Sequence, residues 1–201
     1  MIRSRQRNRL LQHFRTRTSK LLEEKEIVRG CQQGSGKAQE AAYRRYADRL
    51  FRLSLRYIPM EAEAEDVVMR AFVKAFKKVN GFNYQRAGSF EAWLRKIVVN
   101  EALMTLRSHH NFNMTEALDE SMDEPDISSL SSMDATDILQ FISQLPTGYR
   151  TVFNLFAIEG FDHAEIAEQL NISEVTSRSQ LFKAKTLLKK MLSREGYHYG
   201  T

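Results

Sequence analysis

The sequence predicts an all-α protein: two small helical domains joined by a flexible acidic linker, the second containing a helix-turn-helix. Three observations lead there. Apolar residues recur at helical spacing through most of the chain, while strand-like alternation is nearly absent. Only 3 of the 201 residues are proline, which leaves long stretches open to helix. Charge is also segregated. The N-terminal stretch carries Arg3, Arg5, Arg7, Arg9, Arg15, Arg17 and Lys20 without an acid among them. Between Ser108 and Ala135 the sign reverses, with Glu116, Asp119, Glu120, Asp123, Glu124, Asp126 and Asp134 and no Lys or Arg. Blocks of one sign repel themselves and tend to be arms or linkers. The plan is therefore a basic arm (1–21), a helical domain (22–107), an acidic linker (108–135), a second helical domain (136–192) and a tail (193–201).

The elements follow in order. A weak helical segment covers Leu22 to Cys31. From Ala38 to Ile58, Tyr43, Tyr46, Ala47, Leu50, Leu53 and Tyr57 share one stripe, and Pro59 marks the end. Ala64, Val67, Val68, Ala71, Phe72, Ala75, Phe76 and Val79 then keep the i, i+3, i+4, i+7 rule until Gly81. The polar loop Asn80 to Gly88 leads to Ser89, read as the N-cap of a helix with Phe90, Trp93, Leu94 and Ile97 inward. Four such helices close a small core. The stretch with Pro125 lacks sustained periodicity and reads as linker. Helical pattern resumes over Thr136 to Leu145, then from Pro146, suited to a first helical position, through Ile158 to Gly160.

The most specific local pattern lies between Phe161 and Lys190. Asp162 with Glu165 makes a capping box, and Ile166, Ala167 and Leu170 form the inner side of a short helix. Ala167 stands where two helices meet closely. Asn171 tolerates left-handed backbone, and Ser173 caps a second helix. That helix is expected to expose Glu174, Thr176, Ser177, Arg178, Gln180 and Lys183, side chains able to contact bases or phosphates from the major groove. Leu181, Ala184, Leu187 and Leu188 turn to the core. An ordinary helical hairpin with a solvated polar face fits the same pattern.

Composition narrows the function. A net charge of +5 leans toward a polyanionic partner, and 42% hydrophobic residues argue against wholesale disorder. No run of about 18 apolar residues exists, so no direct membrane insertion is expected. The Arg-rich start is not followed by an apolar stretch, so a secretory signal is not expected and a cytoplasmic location is. Cys31 is the single cysteine, which excludes an internal disulfide and a CxxC knuckle. The histidines are scattered and no Gly-rich phosphate loop appears, so no catalytic centre, metal or cofactor is expected.

Both halves resemble the sigma-70 family, in its short extracytoplasmic-function branch. In the first half, Ala64-Glu65-Asp66-Val67-Val68, Phe72, Phe90-Glu91-Ala92-Trp93-Leu94, Ile97, Asn100 and Arg107 resemble the family's second conserved region. In the second, Leu145-Pro146, Tyr149-Arg150, Val152-Phe153, Leu155, Glu159-Gly160, Glu165-Ile166-Ala167, Leu170 and Ile172-Ser173 resemble the fourth. The resemblance implies a promoter-specificity factor whose partners are core RNA polymerase and promoter DNA. It places polymerase binding on Glu65, Asp66, Met69 and Phe72, although the family often has Gln at Met69 and an acid at Arg70. It implies that single-stranded bases of the −10 element are captured by the first domain. The loop residues Phe82, Asn83, Tyr84 and Arg86 have suitable chemistry, with Lys96, Asn100 and Arg107 toward phosphates. An ordinary polar connection is the competing reading of that loop, and Trp93 fits core packing better than base stacking.

The second helix of the helix-turn-helix would read the −35 element, with Ser177 and Gln180 where the family often has Val and Arg, and Asn171 where Gly is common. Elements two helical turns apart lie about 70 Å apart along the duplex. A relaxed linker of this length spans only about 30 Å and an extended one about 90 Å, so binding both elements requires a stretched linker. Many family members are held by an anti-sigma factor, which makes such a partner a candidate, though no residue here points to one. The rival is a stand-alone helix-turn-helix regulator of duplex operator DNA. A disordered tail or a mis-assigned start fits the basic arm better than contact with DNA phosphates does.

Overall fold

The structure, a computed structural model, describes residues 23–108 and 135–195. The basic arm, residues 109–134 of the expected linker and residues 196–201 of the tail lie outside the described residues. Every regular element among the described residues is helical.

The first domain is built from α1 (Glu24–Gln32), α2 (Gly36–Tyr57), α3 (Glu61–Lys78) and α4 (Ser89–Ser108), with a 3-10 turn over Val79–Gly81. α2 starts where Ser35 accepts from the Ala38 amide, and it ends before Pro59 as the sequence requires. α2, α3 and α4 pack on one another, and α1 lies along α2. Their apolar stripes meet in a core that includes Tyr46, Leu50, Leu53, Val67, Phe90 and Leu94, each at most 1% exposed. Cys31 belongs to this core, and burial pushes its thiol up to about 11. Gly30 lets α1 and α2 approach closely, because a Cβ there would lie 2.6 Å from the Cβ of Ala38.

Ser89, expected as the N-cap of α4, is instead its first helical residue, and its buried hydroxyl has no hydrogen-bond partner. The capping comes from α1. The Glu24 carboxylate accepts from the Gly88 amide through both oxygens (3.0 and 3.1 Å) and from the Phe90 amide at 3.1 Å. It satisfies donors that a helix start leaves without partners, and places negative charge where the helix dipole favours it.

The second domain contains α5 (Ala135–Ser143), α6 (Thr147–Phe153), α7 (His163–Leu170) and α8 (Glu174–Arg194). Pro146 caps α6 rather than opening it. α6 does not continue as α-helix to Ile158: Asn154–Ile158 is a π turn, and Gly160 follows with φ +80°. The turn between α7 and α8 follows the sequence closely. Asp162 and Glu165 exchange hydrogen bonds at 2.8 and 2.9 Å, and Asn171 is left-handed (φ 56°, ψ 50°). Ser173 accepts from the Thr176 amide at 3.0 Å.

The two domains pack together at the C-terminal end of α2. Arg150, 5% exposed, donates to the Tyr57 carbonyl through Nη2 and Nε (3.1 and 3.3 Å). Its Nη1 donates to the carbonyls of Leu145 (2.7 Å) and Ser143 (3.2 Å). Asn154 donates to the Arg56 carbonyl at 2.8 Å. Glu159 pairs with Arg95 at 3.1 Å and with Arg56 at 3.4 Å. Burial lowers the pKa of both Arg150 and Arg56, and Glu159 opposes that shift at Arg56.

Candidate nucleic-acid interface

The outward face of α3 carries the acidic motif. Glu65, Asp66 and Met69 are exposed, and Val73, which the sequence reading did not single out, continues the face. Phe72 does not share it. It is 3% exposed and packs on Tyr43 (5.0 Å between ring centres) and Phe76 (5.7 Å), so it belongs to the core instead of a contact surface. The physical reason is periodicity: position 72 follows Val68 by one turn and shares its buried arc with Ala71 and Ala75.

Beside Asp66 runs a groove of about 390 Å³ lined also by Arg70, Glu101, Met104 and Thr105. Glu101, 7% exposed, pairs with Lys74 at 2.8 Å and with Arg70 at 3.7 Å, and Arg70 also donates to Thr105 at 2.7 Å. The departure at Arg70 therefore has a local partner set on α4. Glu101 was not legible as a site residue, because its partners Arg70 and Lys74 lie on another helix, 31 and 27 residues away.

The loop between α3 and α4 is fastened at both ends. Gln32 Nε2 donates to the carbonyls of Phe82 (2.9 Å) and Val79 (3.2 Å). Glu24 holds Gly88 and Phe90, and accepts from the Tyr46 hydroxyl at 3.0 Å. Burial, followed by the charge of Glu24, raises the Tyr46 pKa, so the phenol stays a donor. Phe82 is part-buried, with its ring centre 5.4 Å from Phe90 and 5.0 Å from Trp93. Trp93 is stacked on Phe90 at 5.6 Å, the core packing its sequence position favours. The loop offers outward Asn83 and Arg86, both exposed, and a half-buried Tyr84. It runs directly into α4, on which Lys96, Asn100 and Arg107 are all exposed at spacings of four and seven residues, one helical stripe.

On α8, Glu174 and Arg178 are exposed and paired with each other at 2.7 Å, and Thr176 and Lys183 are half-buried. Val175, 49% exposed, joins this face and was not anticipated. Ser177 and Gln180 depart from the expectation. Ser177 is fully buried, with its Oγ 2.8 Å from His163 Nδ1, and the His163 ring stacks on Phe156 at 4.7 Å. Gln180 is 3% exposed and its side-chain carbonyl has no partner. Both lie on the arc of α8 that faces α6 and α7, next to Leu181 and Ala184. The inner arc is thus wider and more polar than an apolar stripe suggests.

Comparison with known proteins matches the two domains separately and in order. A family model described as Sigma-70 region 2 matches residues 42–112, and one described as Sigma-70, region 4 matches residues 135–188. The ECF RNA polymerase sigma factor SigE of Mycolicibacterium smegmatis is 31% identical over 158 residues, covering 75% of this chain. This chain spans only 60% of that relative's length. The RNA polymerase sigma-H factor of Pseudomonas aeruginosa is 26% identical over 85% of this chain and 94% of its own length. The ECF RNA polymerase sigma-E factor of Escherichia coli is 29% identical, over 83% and 93%. A solved structure of CnrH in complex with the cytosolic domain of CnrY gives a TM-score of 0.44 at 22% identity, over 84% of this chain and 96% of that one.

Proposed function

Since the chain belongs to the sigma-70 family, in its extracytoplasmic-function branch, and is a transcription initiation factor acting with RNA polymerase at promoters, we propose how its surfaces divide that work. The outward face of α3, with Glu65, Asp66, Met69 and Val73, docks on core polymerase. The loop residues Asn83, Tyr84 and Arg86 capture unstacked bases of the −10 element, with Phe82 as the anchor behind them. Lys96, Asn100 and Arg107 follow the phosphates. The exposed start of α8, with Glu174, Val175, Thr176 and Arg178, enters the major groove of the −35 element, and Lys183 lies further along the same helix.

The observation that carries this reading is the loop running into the α4 stripe. An amide, a phenol and a guanidinium stand beside a row of polar and basic side chains, which is the chemistry that single strands require. Base stacking returns roughly 1–3 kcal/mol per base, enough to offset the unstacking of a melted strand. Glu174 restrains Arg178 through their ion pair, and DNA phosphates compete for that guanidinium.

The packed arrangement of the domains has to open for this work. A compact body of this size has a radius of gyration of about 15 Å, while the two elements lie about 70 Å apart. The Arg150 and Glu159 contacts to the first domain are therefore released on promoter DNA. A protein seated on the α3 face would exclude polymerase, which is the role an anti-sigma partner would take. Work alongside RNA polymerase implies a cytoplasmic location, and no described helix is long and apolar enough to cross a membrane.

Run-off transcription with purified core polymerase on a promoter library tests the proposal. Initiation at a defined promoter set only when chain and core are both present is the expected result. Tight operator binding by the chain alone, with no change in start sites, would instead make it a stand-alone regulator.

A further inference from the structure

Two α1 side chains are spent on the loop rather than on their own helix. Gln32 holds the backbone at Val79 and Phe82, and Glu24 holds it at Gly88 and Phe90. Between these anchor points lie Asn83, Tyr84 and Arg86. Gly88 has φ +86°, a conformation open to glycine, and it is this amide that meets both Glu24 oxygens. Glu24 itself is 6% exposed and accepts from three groups, the third being Tyr46 on α2. It is a bracket linking α1, α2, the loop and the start of α4.

We infer that Glu24 and Gln32 are positioning residues for single-stranded promoter DNA, bracing the 82–88 loop in the shape that receives the bases. The inference rests on the loop being the capture surface. A loop that is already ordered loses less freedom on binding, and a binder whose competent shape is only partly populated loses affinity in proportion. The sign of the effect separates this role from simple electrostatics. Glu24 is an anion in a domain that binds a polyanion, so neutralising it would strengthen DNA binding if charge alone mattered. Bracing predicts the opposite.

The test uses the full chain reconstituted with core polymerase. Its probe is a fluorescein-labelled non-template strand, from the strongest promoter of the run-off selection, with a scrambled strand as control. Glu24→Gln should weaken capture about tenfold and Gln32→Ala about threefold, with core affinity and binding to the upstream duplex within twofold of wild type. In the free chain, exchange of the Gly88 and Phe90 amides should accelerate in Glu24→Gln, and the fluorescence of Trp93, the single tryptophan, should shift. Glu24→Gln binding the strand as well as wild type, or better, overturns the inference. If Glu24→Gln does not fold, Gln32→Ala decides it, and unchanged capture there is equally fatal. Tyr84→Ala and Asn83→Ala keep the two readings apart. If they leave capture intact, the loop is not the DNA surface and the parent reading falls. If they weaken it while the α1 variants do not, only the brace falls.

Discussion

Two helix ends in this molecule are finished by side chains from far along the chain, and the contrast between them is instructive. The start of α4 is held by Glu24 from within the same domain. The end of α2 is held by Arg150 and Asn154 from the other domain. Each satisfies backbone groups the helix cannot, with charge of the sign the dipole favours. The mechanical consequences differ. The Glu24 contact joins elements of a single domain, so it can be rigid. On the proposed reading the Arg150 contact joins elements that part on promoter DNA, so its breakage becomes a cost of starting transcription. One end stiffens the proposed capture loop, and the other holds the two domains together.

The largest effect should come from Arg150→Met. It leaves the carbonyls of Tyr57, Ser143 and Leu145 without their charged donor, and urea unfolding should show about 3 kcal/mol of lost stability. Arg150→Lys should recover little, because an ammonium cannot reproduce the fork. An unchanged urea midpoint for Arg150→Met would remove the Arg150 side of the comparison. Next, Glu24→Gln should cost about 2 kcal/mol, since one buried carboxylate serves three donors that an amide cannot all meet. Its small-angle scattering profile should stay at wild type, because the domains still dock.

Glu159→Gln should do the reverse. Removing the partner of Arg95 and Arg56 should cost about 1 kcal/mol of docking, with little change in the unfolding of either domain. Scattering should then show a larger radius of gyration, and the ratio of closed to open molecules should fall about fivefold. No expansion would mean that the pairing with Glu159 is incidental. Smallest of all, Glu174→Ala should change stability by no more than about 0.5 kcal/mol. By releasing Arg178 it should alter the affinity for upstream duplex, measured by anisotropy on matched and scrambled sequences.

What was legible in the sequence was what is settled locally. Asp162, Asn171 and Ser173 act on backbone within three residues of themselves, and each does what its chemistry announces. The start of α4 was misread because its cap comes from 64 residues away, and Ser89 supplied a tempting local substitute. The family resemblance put Phe72 on the polymerase surface although its spacing sets it on the buried stripe, whereas Ser177 and Gln180 were placed outward because periodicity gives the direction of a stripe, not its width. That width depends on how many helices pack around it. Arg150 and Glu159 look like ordinary surface charges in sequence, and their partners exist only once the domains dock. Gln32 carries no signal at all, since a lone amide beside a helix end is normally solvated.

The missing side chain at Gly30 bears on more than close packing. It sets the clearance from Ala38 near the Gln32 end of the span from Glu24 to Gln32, and both grips on the loop hang from that one shaft. Even one added methyl there would pry the shaft away and misalign two distant handholds together. The proposed capture surface would then lose acuity through a change that touches no base, no phosphate and no part of the loop itself.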